Sequence, residues 1–322
     1  MLELQELFVP VDFSRSSRAS VRVARALAER VEARLGFVHA MPQVPRYAEQ
    51  TLFPFAAMGE DRMQLLAELK DNAYKALARY HELGELASEA ERKAGASKGN
   101  WLDVVPAEED EAVERTLARR LGESNAQLVV IGVSGEVMAG ALGSTALRLL
   151  CESTRPVLVA RDIPPDPIDK VAVALDLSPH SARVLQEAVE LALLTGAALE
   201  VIVAIPEPLA IDVRGILQGV VRSDVKALDK HARREVGKLL ERFAGDLKIP
   251  FPFKERFDAL AVERSVLLGD PVEQIVGRAA EGGAQVLVIG THGERRATLS
   301  RRLGRVAHVV GANAPCHVLY VP

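Results

Sequence analysis

The feature that most constrains the fold is an internal repeat. Leu7-Phe8-Val9-Pro10-Val11-Asp12-Phe13-Ser14 aligns with Val171-Ala172-Val173-Ala174-Leu175-Asp176-Leu177-Ser178, and both are apolar runs ending in Asp-x-Ser. Further on, the run from Gln127 through Val130, Ile131, Gly132 and Gly135 aligns with that from Gln285 through Val288, Ile289, Gly290 and Gly293. A third block, Arg155 to Val159, aligns with Ala314 to Leu319. The offsets are 164, 158 and 159, and the drift of six places a net insertion in the first copy between its first and fourth strands. A repeat of this length marks a duplicated domain, not a solenoid. At 322 residues the chain is long enough for two hydrophobic cores. Two domains are predicted, residues 1–162 and 168–322, joined across Asp162 to Asp169, where Pro164, Pro165 and Pro167 make a short, stiff linker.

Each copy alternates strand and helix patterns. In the second, Ser178 is expected to cap a helix, with Pro179 at its first position, an apolar stripe through Val184, Leu185, Ala188, Leu191 and Ala192, and Gly196 after its last turn. The first copy is expected to run similarly from Ser14 to Gly36. Second strands follow at Leu35 to Ala40 and Leu199 to Ile205, then a long polar helix, and third strands near Leu102 to Val105 and Ser265 to Leu268. Asp270-Pro271-Val272-Glu273 reads as a helix start, with an acid at the cap, proline at the first position and glutamate at the third. Strands rich in Val, Ile and Leu without polar alternation belong to sheets covered on both faces. The predicted fold class is therefore α/β: two doubly wound, Rossmann-like, five-stranded and mainly parallel sheets flanked by helices.

In open parallel sheets, ligands bind beyond the carboxyl ends of the strands, where the strand order switches. There the first copy carries Gly132-x-x-Gly135, seven residues, then Gly143-Ser144-Thr145 opening a helix. The second carries Gly290-x-x-Gly293, ten residues, then Gly304-Arg305-Val306. Glycines let backbone N–H groups approach a ligand, and a helix start offers unpaired N–H donors and the positive end of the dipole. Ser144 and Thr145 add hydroxyls in the first copy; Arg295, Arg296, Arg301, Arg302 and Arg305 add charge in the second. The competing reading makes each glycine an ordinary strand-to-helix turn and the arginines a solvated helix face. Asp12 and Asp176 end the first strands, where a carboxylate either closes the turn or accepts bonds from an adenine amino group or a ribose.

Composition removes several function classes. The formal charge is −4 with Lys and Arg spread along the chain, which argues against a nucleic-acid footprint. Only Cys151 and Cys316 are present, one per copy, so a disulfide framework is excluded and a reducing compartment is expected. No apolar run is long enough to span a bilayer and the first residues are not a signal peptide, so a cytoplasmic location is expected. Neither a P-loop nor a Gly-x-Ser-x-Gly elbow occurs, and the seven histidines form no metal-type pair.

The aligned blocks resemble the universal stress protein family, over nearly the whole chain, as two family domains. Its ATP-binding members have a first strand ending near Asp, then Gly-x-x-Gly, a spacer of about nine residues and Gly-Ser or Gly-Thr. Phe8 to Ser14, Val288 to Gly293 and Leu268-Gly269-Asp270-Pro271 look typical of it. The resemblance implies a stress-response regulatory protein binding ATP or a related adenine nucleotide, with Mg as its counter-ion. The adenine would lie near Pro10, Val11, Asp12 and Ala40, or near Ala174, Leu175, Asp176 and Ala204. The phosphates would lie against Gly132, Gly135, Gly143, Ser144 and Thr145, or Ile289, Gly290, Gly293, Gly304, Arg305 and Val306. Both copies depart from the pattern: seven residues in the first spacer, ten in the second, and Arg305 in place of the hydroxyl. The resemblance also implies pairing of the two copies through their last strands, as a pseudo-twofold pair, and leaves a homodimer open. The alternatives are a nucleotide-free interaction or scaffold protein, with the apolar stretch Pro42 to Met58 as a lid or partner patch, and an ATP-using enzyme. The related adenylate-forming and pyrophosphatase signatures are missing and no general base is identifiable, so at most slow ATP hydrolysis is expected.

Overall fold

The computed structural model describes residues 4–12, 14–41, 99–106, 111–133, 142–163, 167–206, 230–242, 253–292 and 303–322, with isolated helical positions at 227 and between 64 and 75. Pro42 to Met58, most of Arg62 to Lys93, Gly135, Gly293, Arg295, Arg296, Arg301, Arg302, Pro164 and Pro165 lie outside them. The chain divides into two compact units, one built mainly on residues 4–133 and 143–163 and the other on 167–322.

The first unit runs β1 (Glu6–Pro10), α1 (Arg15–Val31), β2 (Arg34–Met41), β3 (Trp101–Pro106), α2 (Val113–Glu123), β4 (Leu128–Gly132), α3 (Ser144–Glu152) and β5 (Val157–Ala160). The second runs β6 (Lys170–Leu175), α4 (Ser181–Thr195), β7 (Ala198–Ile205), α5 (Phe253–Asp258), β8 (Val262–Leu268), α6 (Pro271–Glu281), β9 (Val286–Gly290), α7 (Arg305–Asn313) and β10 (His317–Val321), with residues 230–242 also helical. The first sheet has the order β3-β2-β1-β4-β5 and the second β8-β7-β6-β9-β10, with parallel pairings. The switch in strand order falls between β1 and β4, and between β6 and β9.

Several strands are buried along their length: every residue of β1, β5 and β10 is buried. This is the consequence of helices on both faces, and it accounts for the unbroken apolar runs. Asp270 caps α6 by accepting from the N–H groups of Val272 (2.9 Å) and Glu273 (3.2 Å), with Pro271 at the helix start, as its motif predicts.

Two helix boundaries differ from the sequence expectation. Helix α1 ends at Val31 with Glu32 in the left-handed region (φ 54°), and Gly36 lies inside β2. Gly36 is small for a packing reason, since a Cβ there would stand 2.3 Å from the Trp101 indole on β3. In the second copy Ser178 does not cap. Leu177 takes a left-handed φ of 59°, the Ser181 N–H bonds to the Ser178 carbonyl at 2.9 Å in a tight turn, and regular helix starts at Ser181. At the far end, Gly196 (φ 75°) closes α4 as expected.

At the amino ends of the strands each copy holds a cluster of charges, and the two clusters differ. In the second, Glu200 on β7 is 0% exposed and pairs with Lys170 (2.8 Å) and Arg278 (2.5 Å), while Ser265 donates to it at 2.7 Å. Burial pushes the Glu200 carboxyl upward, but the bonds from Lys170, Ser265 and Arg278 outweigh it and hold the group below its ordinary value. In the first, Gly36 and Trp101 face each other on β2 and β3 where Glu200 and Glu263 face each other on β7 and β8. Glu6 there pairs with Arg34 at 2.7 Å, and Arg120 pairs with Asp103 at 3.5 Å.

Candidate functional site

The carboxyl ends of β1 and β4, and of β6 and β9, gather the residues that the motifs single out. In the first copy β1 ends at Pro10, followed by the buried Val11 and by Asp12. The Asp12 carboxylate accepts, through Oδ1, from the Ser14 N–H (3.0 Å) and from the Ser17 hydroxyl, while its own N–H donates to Ser17 Oγ at 2.9 Å. Ser14 caps α1, its hydroxyl accepting from the Ser17 N–H at 3.2 Å. The second copy repeats the arrangement: Asp176 Oδ1 accepts from the Ser178 N–H (3.0 Å) and the Ser181 hydroxyl (2.9 Å). Burial raises both carboxyls, and the serine bonds more than offset it, so both aspartates titrate below the ordinary range and are ionised at neutral pH. In each, Oδ2 carries no hydrogen bond among the described residues.

The neighbouring strands supply the glycines. Gly132 ends β4 and Gly290 ends β9. A Cβ at Gly132 would stand 2.0 Å from the Ser16 carbonyl oxygen, and one at Gly290 would stand 3.1 Å from His180 and 3.2 Å from Val184. Gly132 is thus required by the helix following the first strand, and Gly290 is favoured by it, independently of any ligand. Gly143 and Gly304, by contrast, are helix N-caps with extended backbone and no side-chain cap bond. A glycine cap leaves the first-turn N–H groups of α3 and α7 without a side-chain acceptor. Gly304 is further fixed by its N–H to the Thr291 carbonyl, 2.9 Å. Ala40 and Ala174 are buried, Ile289 is 5% exposed, and Ala204, Thr145 and Val306 are half-buried at the same strand and helix ends.

Here the copies diverge. In the first, the Ser144 hydroxyl donates to Glu114 Oε1 on α2 at 2.6 Å. The bond from Ser144 is also the main reason that the Glu114 carboxyl titrates below its ordinary value. The Val11 backbone is engaged on both sides, its N–H by the Val38 carbonyl (2.9 Å) and its carbonyl by His39 Nδ1 (2.7 Å). In the second copy the offsets put Val272 at the position of Glu114, Val203 at that of His39 and Arg305 at that of Ser144. Arg305 is exposed and makes no ion pair among the described residues. Glu114 and His39 were not singled out by the motifs; a position-by-position comparison of the two copies would have flagged both as changes of charge or hydrogen-bonding type.

A sequence profile of the universal stress protein family matches residues 4–161 and again 167–322, one match per repeat. The chain belongs to the universal stress protein family. Three solved structures share the fold over 99% of this chain: a universal stress protein from Archaeoglobus fulgidus DSM 4304 (16% identity, 98% of that chain, TM-score 0.62), a putative universal stress protein from Pseudomonas aeruginosa UCBPP-PA14 (16%, 94%, 0.58) and a functionally unknown protein from Pseudomonas aeruginosa PAO1 (16%, 93%, 0.61). At such identities the likeness extends to the fold of tandem universal stress proteins and no further. No curated protein matches the chain. Among the described residues of this family member, no cluster of His, Cys, Asp and Glu has the makings of a metal site, and no helix is long and apolar enough to cross a membrane.

Proposed function

We propose that this tandem universal stress protein is a regulatory protein of two domains, residues 1–162 and 168–322, that binds an adenine nucleotide, ATP or a close relative, in at least one copy. The base would lie by Pro10, Val11, Asp12 and Ala40, or by Ala174, Leu175, Asp176 and Ala204. The phosphates would lie by Gly132, Gly135, Gly143, Ser144 and Thr145, or by Ile289, Gly290, Gly293, Gly304, Arg305 and Val306. One observation carries the reading. In both copies an ionised aspartate is held by Oδ1 alone, with Oδ2 unengaged among the described residues, in a copy whose next glycine-capped helix start has no side-chain acceptor. An acceptor for ribose or base and a set of donors for phosphate are the two halves of a nucleotide site.

Isothermal titration of the full chain with ATP and Mg tests it, the expected result being saturable binding that weakens in Asp176→Asn. No binding up to about 1 mM, which corresponds to only about 4 kcal/mol of affinity, would remove the reading. A nucleotide-free scaffold role is the second reading, favoured in the first copy alone by the engagement of Ser144 and of the Val11 carbonyl.

A further inference from the structure

We infer that the two copies are unequal sites: Glu114 and His39 close the first to a nucleotide polyphosphate, Arg305 opens the second to it, and the chain holds one nucleotide, in its second copy. The inference rests on the nucleotide reading above and adds to it the copy, the stoichiometry and the residues that decide both.

A helix start attracts anions because its first N–H groups are unpaired and its dipole end is positive. In the first copy that place already has an anion. The Glu114 carboxylate stands 2.6 Å from the hydroxyl of Ser144, the first residue of α3. A phosphate seeking the same hydroxyl must displace that carboxylate and then face a like charge at close range. The nearest cation in sequence to Asp12 offers no relief, since Arg15 is paired with Asp162. On the base side, the Val11 carbonyl is taken by His39.

In the second copy the same three positions are Val272, Arg305 and Val203. Helices α2 and α6 each have 11 residues and precede β4 and β9 by the same interval, so Val272 corresponds to Glu114 without a gap. Asp270, the acid just before α6, is spent on the cap of its own helix, which leaves Glu273 as the acidic side chain in that first turn. Valine brings no charge to the helix start and cannot donate to the Leu175 carbonyl. Arg305 brings a permanent cation to the first residue of α7.

The test is the binding stoichiometry of the full chain, by titration with ATP and Mg. The wild type should bind one equivalent. Arg305→Glu should weaken it by a factor of ten or more. Glu114→Val, which installs the residue of the second copy, should create a second site, and adding His39→Val should strengthen it. Glu114 and His39 are both half-buried, and an unchanged melting curve establishes that the variants are folded. Two equivalents in the wild type, or one equivalent in the folded double variant, would overturn the inference while leaving nucleotide binding intact. An unchanged affinity in Arg305→Glu would overturn the assignment to the second copy. No binding by the wild type would remove the nucleotide reading itself, and this inference with it.

Discussion

The two copies differ most where their side chains meet solvent or charge, and least where strand packs on strand. At the amino ends of the strands the second copy buries the carboxylate of Glu200 among Lys170, Arg278 and Ser265, and the first puts Gly36 under the Trp101 indole instead. At the carboxyl ends the first ties Ser144 to Glu114, and the second has a valine and an arginine in their places. Between these extremes both keep the same strand order, the same Asp-serine clamp and a glycine at the end of the fourth strand. The fold is specified by buried apolar strands and a few close backbone contacts, and both rims are free to diverge.

Substitutions at matched positions break or sharpen this comparison. The largest effect is expected at the fourth-strand glycines. Gly132→Ala forces a Cβ onto the Ser16 backbone carbonyl, a contact that side-chain motion cannot relieve, and should destabilise the first copy by about 3 kcal/mol. Gly290→Ala meets the His180 and Val184 side chains and should cost about 1 kcal/mol. Equal losses in urea titrations would show that α1 does not press on β4 as described.

Next comes the buried charge. Glu200→Gln removes the buried counter-charge of Lys170 and Arg278, which keep only the half-exposed Glu263, and should cost about 2 kcal/mol. Glu6→Gln in the first copy should cost about 1 kcal/mol, because its partner Arg34 is 40% exposed.

The same carboxylate predicts the response to acid. A folded-state pKa below the ordinary value means that the unfolded chain binds protons first, so the stabilisation is complete above the ordinary glutamate value of 4.5 and is lost as pH falls through the folded value. Asp12 and Asp176 act in the same sense below their ordinary 3.8 and do so in both copies, so they do not discriminate. Glu200 does. Acid unfolding followed by circular dichroism should lose its earlier component in Glu200→Gln, and an unaltered acid limb would show that the network adds nothing.

The smallest effect concerns the caps. Ser14→Ala removes a cap bond and should cost about 1 kcal/mol, whereas Ser178→Ala, whose hydroxyl is buried without a partner among the described residues, should change stability by less than about 0.5 kcal/mol. Similar losses at both would mean that α4 is capped as its sequence suggests.

That last pair shows where sequence reasoning reached and where it stopped. The duplication, the parallel sheets, the Asp270 cap and the position of Asp12 and Gly132 at strand ends follow from local pattern, because each depends on neighbours in the chain. Ser178 follows the same pattern as Ser14 and behaves differently: it closes a tight turn with Ser181, where the regular helix starts, and Leu177 before it takes a left-handed backbone that no propensity of leucine foretells. Gly36 looked like a helix stop and is a strand residue whose size answers to Trp101, 65 positions away. The candidate site divides in the same way. Its glycines and aspartates are visible in the motifs, while the bond from Ser144 to Glu114 spans 30 positions and exists only because α2 and α3 pack together.

The indole that fills the space over Gly36 is the chain's only tryptophan, and it lies in the first copy. Nature has in effect labelled one half of a duplicated molecule. Excitation at the indole band reports on β2 and β3 of the first copy, while the second, with Tyr320 sealed in its core, is silent at that wavelength. A fluorescence melt set beside a calorimetric one therefore compares the unfolding of the first copy with that of the unaltered whole chain, with no probe attached and neither half removed.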